Sequence, residues 1–152
     1  MYGETSGIMH YADDQGSIDV MLICQGHLLQ IFEGSLDHPA FDAVIPAIEQ
    51  TLRAQGSMSL MTDMGNLKAY TSSFRKRWTN WILKNAAALP RFYGLTSSHL
   101  VLMGVRVVAL ATGKEVIMDS SREEFEKRVR RLNPLAFAKL RASRAARKEE
   151  LL

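Results

Sequence analysis

Three hydroxyl residues stand directly before a cluster of cations near the middle of the chain. The segment consists of Thr71, Ser72, Ser73, Phe74, Arg75, Lys76 and Arg77. Apolar residues follow it at helical spacing, so we expect it to open a helix, with Ser72 as the cap. Cations in a first turn oppose the helix dipole by about 0.3–1 kcal/mol each. An anion at the hydroxyls would offset this effect; the alternative is a plain cap beside a solvated basic face.

Other arrangements that support catalysis or metal binding are missing from the sequence. The glycines lack the spacing of a phosphate-binding loop, and the four histidines are scattered without metal-ligand spacing. Cys24 lies in an apolar run and is expected to be a buried, inert thiol. Ser72 could serve as a nucleophile, but no base accompanies it. The sequence therefore predicts no enzyme, no metal site and no cofactor.

Strand-like and helical patterns alternate along most of the chain. Two apolar runs, 17–24 and 27–33, are separated by a Gln-Gly pair that suits a tight hairpin turn. The next apolar residues have helical spacing. Because proline is tolerated in a first turn better than in a helix interior, Pro46 favours a helix that begins at Asp42. We expect this helix to end at Gly56.

The hydroxyl segment follows a short buried strand (58–62) and a polar turn at Gly65. We expect its helix to run from Ser73 to about Leu89, where Pro90 breaks the chain.

A strand at 91–95 then precedes a helix through Ala111, which is apolar on nearly every side and should be largely buried. A strand at 115–118 and a helix opened by a capping box, from Ser121 to Glu124, complete the pattern. This alternation predicts one α/β layer with a mixed, mostly parallel sheet, an N-terminal β-hairpin and four helices.

The positive charge is concentrated near the C-terminus. Residues 120–152 contain ten Lys/Arg against five Glu, whereas residues 1–119 contain nine Lys/Arg against eleven Asp/Glu. We therefore divide the chain into a lead-in (1–16), a domain (17–132) and a basic helical extension (133–152). No aromatic residues are interleaved with the cations of the extension, so nucleic-acid binding is not expected.

Length and cysteine content indicate the number of domains and the cellular compartment. A chain of 152 residues fits one domain. A single cysteine and the lack of a signal-peptide pattern point to the cytoplasm. No apolar run approaches the roughly 18 residues of a membrane helix, so no membrane span is expected.

Two motifs and the order of the elements resemble the STAS domain family, named after sulfate transporters and anti-sigma-factor antagonists. The run HLLQIFEG followed by SLDHPAF is similar to the family's second strand and the Gly-x-Leu-Asp turn that opens its first helix, which places Asp37 in that turn. The run SLMTDMGNLKAYTSSF falls over a family strand, its terminal aspartate (Asp63) and the loop that ends in Asp-Ser-Ser-Gly-Leu. The resemblance covers residues 17–132.

The resemblance implies a regulatory role for the hydroxyl segment. In the family a partner kinase phosphorylates the first serine of Asp-Ser-Ser, which falls on Ser72, with Ser73 and Thr71 as further candidates. The residues implied to contact a partner or the phosphate are Arg75, Lys76, Arg77, Asp63 and Asp37. Two positions depart from the motif, because Thr71 replaces its aspartate and Phe74 replaces its glycine.

Two hypotheses of different classes follow. The resemblance implies a non-catalytic bacterial regulatory module that binds a protein partner, such as an anti-sigma-factor-type kinase. In such a module Ser72 is either a phosphoacceptor or only a helix cap. A homodimer is a further possible assembly. The alternative is a carrier or sensor of a small apolar molecule, held between the hairpin and the first two helices by Phe41, Phe74 and Trp78.

Overall fold

The computed structural model of the chain describes residues 8–135, 137–138 and 141–142. Six strands form one sheet in their order along the chain. They are β1 (Ile8–Ala12), β2 (Gly16–Cys24), β3 (His27–Leu36), β4 (Ser59–Tyr70), β5 (Arg91–Leu95) and β6 (Glu115–Asp119). The first three strands pair antiparallel, and β3 to β6 pair parallel. The predicted mixed sheet with an N-terminal hairpin is confirmed.

Four helices of eleven or more residues lie in the described part of the chain. They are α1 (His38–Gln55), α2 (Ser72–Lys84), α3 (His99–Thr112) and α4 (Arg122–Leu132). The second helix is shorter than expected: it ends at Lys84, and a single 3-10 turn (Ala86–Ala88) leads to β5. The predicted number of helices in the domain is confirmed.

The core lies on both faces of the sheet. Residues alternate between the faces along a strand, so Leu28 and Phe32 of β3 pack under α1, α2 and α3. Leu29 and Ile31 pack on the opposite face, against α4. Phe137 is buried in that second cluster, which attaches the start of the predicted C-terminal extension to the sheet. Residues 1–7 of the lead-in and most of the extension lie outside the described residues.

The first helix begins earlier than expected. Asp37 caps α1, because its carboxylate accepts a 2.7 Å hydrogen bond from the backbone N–H of His38. Pro39 then occupies the first turn, where its missing N–H costs little. The predicted start at Asp42 is therefore wrong, and Pro46 lies inside the helix. The predicted end is confirmed, since Gly56 closes α1 with a φ of +81°.

The fourth strand is longer than its sequence suggested. The expected turn at Gly65 is wrong, because β4 continues to Tyr70. Its second half stays paired with β3, whereas β5 pairs only with Leu60 to Asp63. An extended segment therefore projects past β5 and leads directly into α2.

Of the last two helices, only α4 differs from expectation at its start. Ser98 caps α3 through a hydrogen bond from the N–H of Val101. The hydroxyl of Ser121 makes no cap hydrogen bond to α4, so the predicted capping box does not form.

None of the helices in the described ranges has the length and hydropathy that a membrane span requires. The same residues contain no cluster of three His, Cys, Asp or Glu side chains that could hold a metal ion.

Candidate functional site

The starts of α1 and α2 lie side by side. The neighbouring parallel strands β3 and β4 end at the same level, where Leu36 is paired with Tyr70. The backbone N–H of Thr71 donates a 3.0 Å hydrogen bond to the carbonyl of Leu36. The residues that follow the two strands, Asp37 and Thr71, are therefore adjacent, and each caps a helix.

Thr71, and not Ser72, is the cap of α2. Its Oγ1 accepts a 3.1 Å hydrogen bond from the N–H of Phe74 and donates a 2.7 Å hydrogen bond to Oδ1 of Asp37. The hydrogen bond from Thr71, followed by that from the His38 backbone, holds the pKa of Asp37 below its ordinary value. Asp37 thus supports both helix starts, and its contact with a partner stays a prediction.

The two serines after the cap face solvent in the first turn of α2. Ser72 and Ser73 are exposed, and the first backbone N–H groups of a helix have no partner within the helix. Arg75 and Lys76 are exposed one turn on. Arg77 is directed toward α1, where its Nη1 lies 3.4 Å from Oδ1 of Asp42. The exposed hydroxyls, Arg75 and Lys76 form a surface that favours anions.

Asp63 is buried and bound to Arg122, so it does not reach this surface. Its side chain is 7% exposed and receives two hydrogen bonds from Arg122, of 2.8 and 3.2 Å. The hydrogen bond to Asp63 raises the pKa of the Arg122 guanidinium. Because Arg122 opens α4, this pair attaches α4 to the middle of β4.

The aromatic residues of the alternative hypothesis separate into two groups. Phe41 is completely buried and packs edge-on against Phe74 and Trp81, with ring centroids 5.8 and 6.3 Å apart. Phe74 and Trp78 line a cavity, whereas Phe41 does not. The expected position between the hairpin and the first two helices is therefore corrected: the cavity lies between α2, α3 and the projecting end of β4.

The cavity has a volume of about 230 Å³. Its apolar wall consists of Phe32, Met64, Leu67, Tyr70, Phe74, Trp78, Val101, Gly104, Val105, Val107 and Val108. The polar residues on α2 that line it are Arg75, Lys76, Thr79 and Asn80. An engineered apolar cavity of about 150 Å³ is large enough for benzene, so this cavity can hold a small organic molecule.

Trp78 lines the cavity, but its indole donor does not reach the cavity surface. Its indole Nε1 is buried and has no hydrogen-bond partner among the described residues. The indole of Trp81, three residues on, donates a 3.1 Å hydrogen bond to Glu49. A buried donor left without an acceptor costs about 1–3 kcal/mol.

One face of α3 is apolar and exposed, contrary to the expectation of a largely buried helix. Val101, Val105 and Val108 are buried against the sheet. The outer stripe consists of Leu100, Met103, Val107 and Leu110, which are 64–86% exposed. This stripe lies next to the cavity, because Val107 belongs to both.

Sequence reasoning found the hydroxyls and cations of α2 but missed the contribution of α3 to the cavity. Gly104 was the available signal, since a glycine inside an apolar helix points to a close approach or an open space.

The thiol of Cys24 lies 3.6 Å from Nδ1 of His27, and burial raises its pKa, which disfavours the reactive thiolate.

Comparisons with solved structures identify the fold. An uncharacterized protein of the DUF3478 family from Shewanella loihica, with a SpoIIAA-like fold, aligns with a TM-score of 0.58 and 14% identity over 80% of this chain and 91% of its own. The Bacillus cell fate determinant SpoIIAA in its phosphorylated form aligns with a TM-score of 0.51 and 18% identity, over 74% of this chain and 99% of its own. No protein-family model matches the sequence, and no curated protein matches it. The chain has a diverged STAS-like fold of the SpoIIAA type.

Proposed function

We propose that the protein is a non-catalytic regulatory module that binds another protein through the start of α2, and that Ser72 is its phosphoacceptor. The observation that carries the proposal is the exposure of Ser72 at a helix N-terminus with Arg75 and Lys76 one turn away. A phosphoserine is favoured at such a terminus, and neighbouring Arg and Lys side chains add charge-assisted hydrogen bonds. SpoIIAA, which shares the fold, has been solved in a phosphorylated form.

The three hydroxyls differ in their suitability as phosphoacceptors. Thr71 Oγ1 is engaged with both Asp37 and the N–H of Phe74, so phosphorylation there would remove a cap. Ser72 and Ser73 can be modified without loss of those two hydrogen bonds. Ser72 lies three and four residues before Arg75 and Lys76, which is the spacing of neighbours on a helix. Ser73 has the same spacing to Lys76 and Arg77, but Arg77 approaches Asp42, so Ser72 is favoured.

The exposed stripe of α3 supports a protein partner. Contiguous exposed apolar residues often mark interaction sites. Neither α2 nor α3 contains an acidic residue, and together they carry five Lys or Arg. A partner surface with apolar and acidic side chains would complement this face, and a kinase of the anti-sigma-factor type is the partner class that we propose.

The phosphorylation test compares Ser72 with a serine at the other end of β4. The protein is incubated with kinases from its source lysate, and phosphate is mapped by mass spectrometry. We expect label on Ser72 and none on the exposed Ser57. No label on Thr71, Ser72 or Ser73 under any condition would end the phosphoswitch proposal.

The partner test uses matched charge variants. Ser72→Ala, Ser72→Asp and Ser57→Asp are compared with the wild type in pull-down experiments. We expect Ser72→Asp to change the set of retained proteins and Ser57→Asp to leave it unchanged. Identical sets for all four proteins would mean that the start of α2 does not control binding.

A second candidate function is the binding of a small apolar molecule, which the cavity of about 230 Å³ favours. A fluorescent hydrophobic probe displaced by small organic molecules would measure such binding. Gly104→Leu fills the cavity from α3, because an added Cβ at this position meets nothing closer than Oη of Tyr70, at 3.8 Å. Unchanged probe binding by a folded Gly104→Leu variant would show that the probe binds elsewhere.

A further inference from the structure

The polar groups around the cavity are matched to one class of ligand. No acidic residue is found among the described residues that line it, whereas Arg75 and Lys76 contribute two positive charges from α2. A cationic ligand would therefore be repelled at the polar side of the cavity. The apolar wall would in turn exclude a small, fully hydrated anion, because its hydration would be lost without compensation.

We infer that the cavity between α2, α3 and the end of β4 binds an anionic amphiphile, with its apolar part against the aromatic and valine side chains and its acid group toward Arg75 and Lys76. The inference rests on the second candidate function and specifies its ligand class. The volume of about 230 Å³ exceeds the roughly 150 Å³ that accommodates benzene. It is smaller than the roughly 300–1,000 Å³ of sites for drug-sized ligands. An alkyl or aryl carboxylate of modest length fits this range.

The ligand charge is tested with three probes that share one apolar chain: octanoate, 1-octanol and octylammonium. Binding of each is measured by isothermal titration calorimetry at neutral pH. We expect octanoate to bind about 5-fold more tightly than octanol, because two exposed cations contribute modestly, and octylammonium to bind most weakly. The preference for octanoate should decrease as salt is added.

Variants of α2 locate the charge effect. Arg75→Gln combined with Lys76→Gln should abolish the preference for octanoate over octanol. Arg77→Gln combined with Lys84→Gln is the matched control, because it removes two charges from the same helix at positions that do not line the cavity. It should retain the preference. Equal effects of the two changes would show that the net charge of the protein, and not the cavity, selects the anion.

The two tryptophans supply a direct readout of cavity occupancy. In a ¹H–¹⁵N spectrum the indole signal of Trp78, assigned with Trp78→Phe, should shift when octanoate is added, because Trp78 lines the cavity. The signal of Trp81, which does not line the cavity and donates to Glu49, should shift less. An unchanged Trp78 signal at saturating octanoate would place the probe outside the cavity.

The outcomes separate this inference from the function on which it rests. If octanol binds as tightly as octanoate, the cavity accepts apolar molecules without regard to charge, and the anionic class is wrong. If none of the three probes binds to the wild type, the carrier function fails as well. Binding of octanoate that persists in a folded Gly104→Leu variant would place the probe outside the cavity and overturn the inference.

Discussion

Thr71 and Asp37 join the two helix starts of this fold through one 2.7 Å hydrogen bond between their side chains. Thr71 donates to Asp37 and at the same time accepts from the backbone of Phe74. The resemblance to STAS domains places an aspartate at position 71. An ionised aspartate there could not donate to Asp37, whereas threonine donates to it and caps α2.

The first prediction concerns the hydroxyl of Thr71. Thr71→Val keeps the shape of the side chain but removes both hydrogen bonds, and we expect it to lower the free energy of unfolding by about 1–2 kcal/mol. Thr71→Ser retains the hydroxyl, so its free energy of unfolding should be close to that of the wild type. Chemical denaturation monitored by circular dichroism measures both. A loss for Thr71→Ser as large as that for Thr71→Val would exclude the hydroxyl as the cause.

The second prediction concerns pH. In the unfolded chain the Asp37 carboxyl titrates near its ordinary pKa of about 3.9, whereas in the folded protein its pKa is lowered, chiefly by Thr71. The folded state then binds fewer protons, so this group stabilises the protein above the unfolded pKa. Its contribution is lost as pH falls through the folded pKa.

The pH effect can be followed at the residue itself. In Thr71→Val the pKa of Asp37 should move back toward its ordinary value, as measured by a carboxyl ¹³C NMR titration. Asp13, whose pKa is also lowered but by the backbone N–H groups of Gly16 and Gln15, is the internal control. Its titration should be the same in the two proteins.

The third prediction concerns the pair that attaches α4 to β4. Arg122→Gln leaves the buried carboxylate of Asp63 without its charged partner, although the backbone N–H of Gly65 still donates to Oδ1. We expect a loss of about 1–3 kcal/mol, less than for a fully buried pair because the arginine is partly exposed. Lys127→Gln removes exposed contacts with Glu123 and Glu124 on the same helix and should cost about 0.5 kcal/mol or less. Equal losses in the two variants would contradict the structural role of Asp63.

Gly65 provides a further test of this pair. An added Cβ at Gly65 would collide with Nη2 of Arg122 and come within 3.2 Å of Oδ1 of Asp63. Gly65→Ala should therefore displace the guanidinium. Combined with Arg122→Gln, it should cost less than the sum of the single changes. Fully additive losses would mean that the methyl group is accommodated without moving the arginine.

Local sequence patterns predicted most of the elements but not where they begin. Thr71 and Ser72 are both good caps, and local preference does not choose between them. The neighbouring Asp37 does, because it accepts from Thr71. Similarly, Gly65 and the following polar residues resemble a turn, yet β3 supplies hydrogen-bond partners that keep β4 extended to Tyr70.

The sequence also predicted only part of the candidate site, because tertiary packing determines the rest. The hydroxyls and cations are contiguous in the chain and could be recognised as one segment. The cavity is formed by α2 together with Val105 and its neighbours on α3, so it depends on how two separate helices pack. The apolar sequence of α3 suggested burial on all sides, but one face of that helix is exposed, which composition alone could not indicate.

The last prediction concerns Gly104, the glycine that leaves space in the cavity wall. Glycine in a helix interior is less favourable than alanine by about 0.5–1 kcal/mol. An added Cβ at Gly104 meets nothing closer than 3.8 Å, so Gly104→Ala should raise the free energy of unfolding by that amount. Gly16 is the contrasting case, because a Cβ there would lie 2.5 Å from the carbonyl oxygen of Glu33. Gly16→Ala should destabilise the protein by about 1–3 kcal/mol. Denaturant titrations with unchanged m-values would measure both changes, and a destabilised Gly104→Ala variant would show that the space beside Tyr70 is already filled.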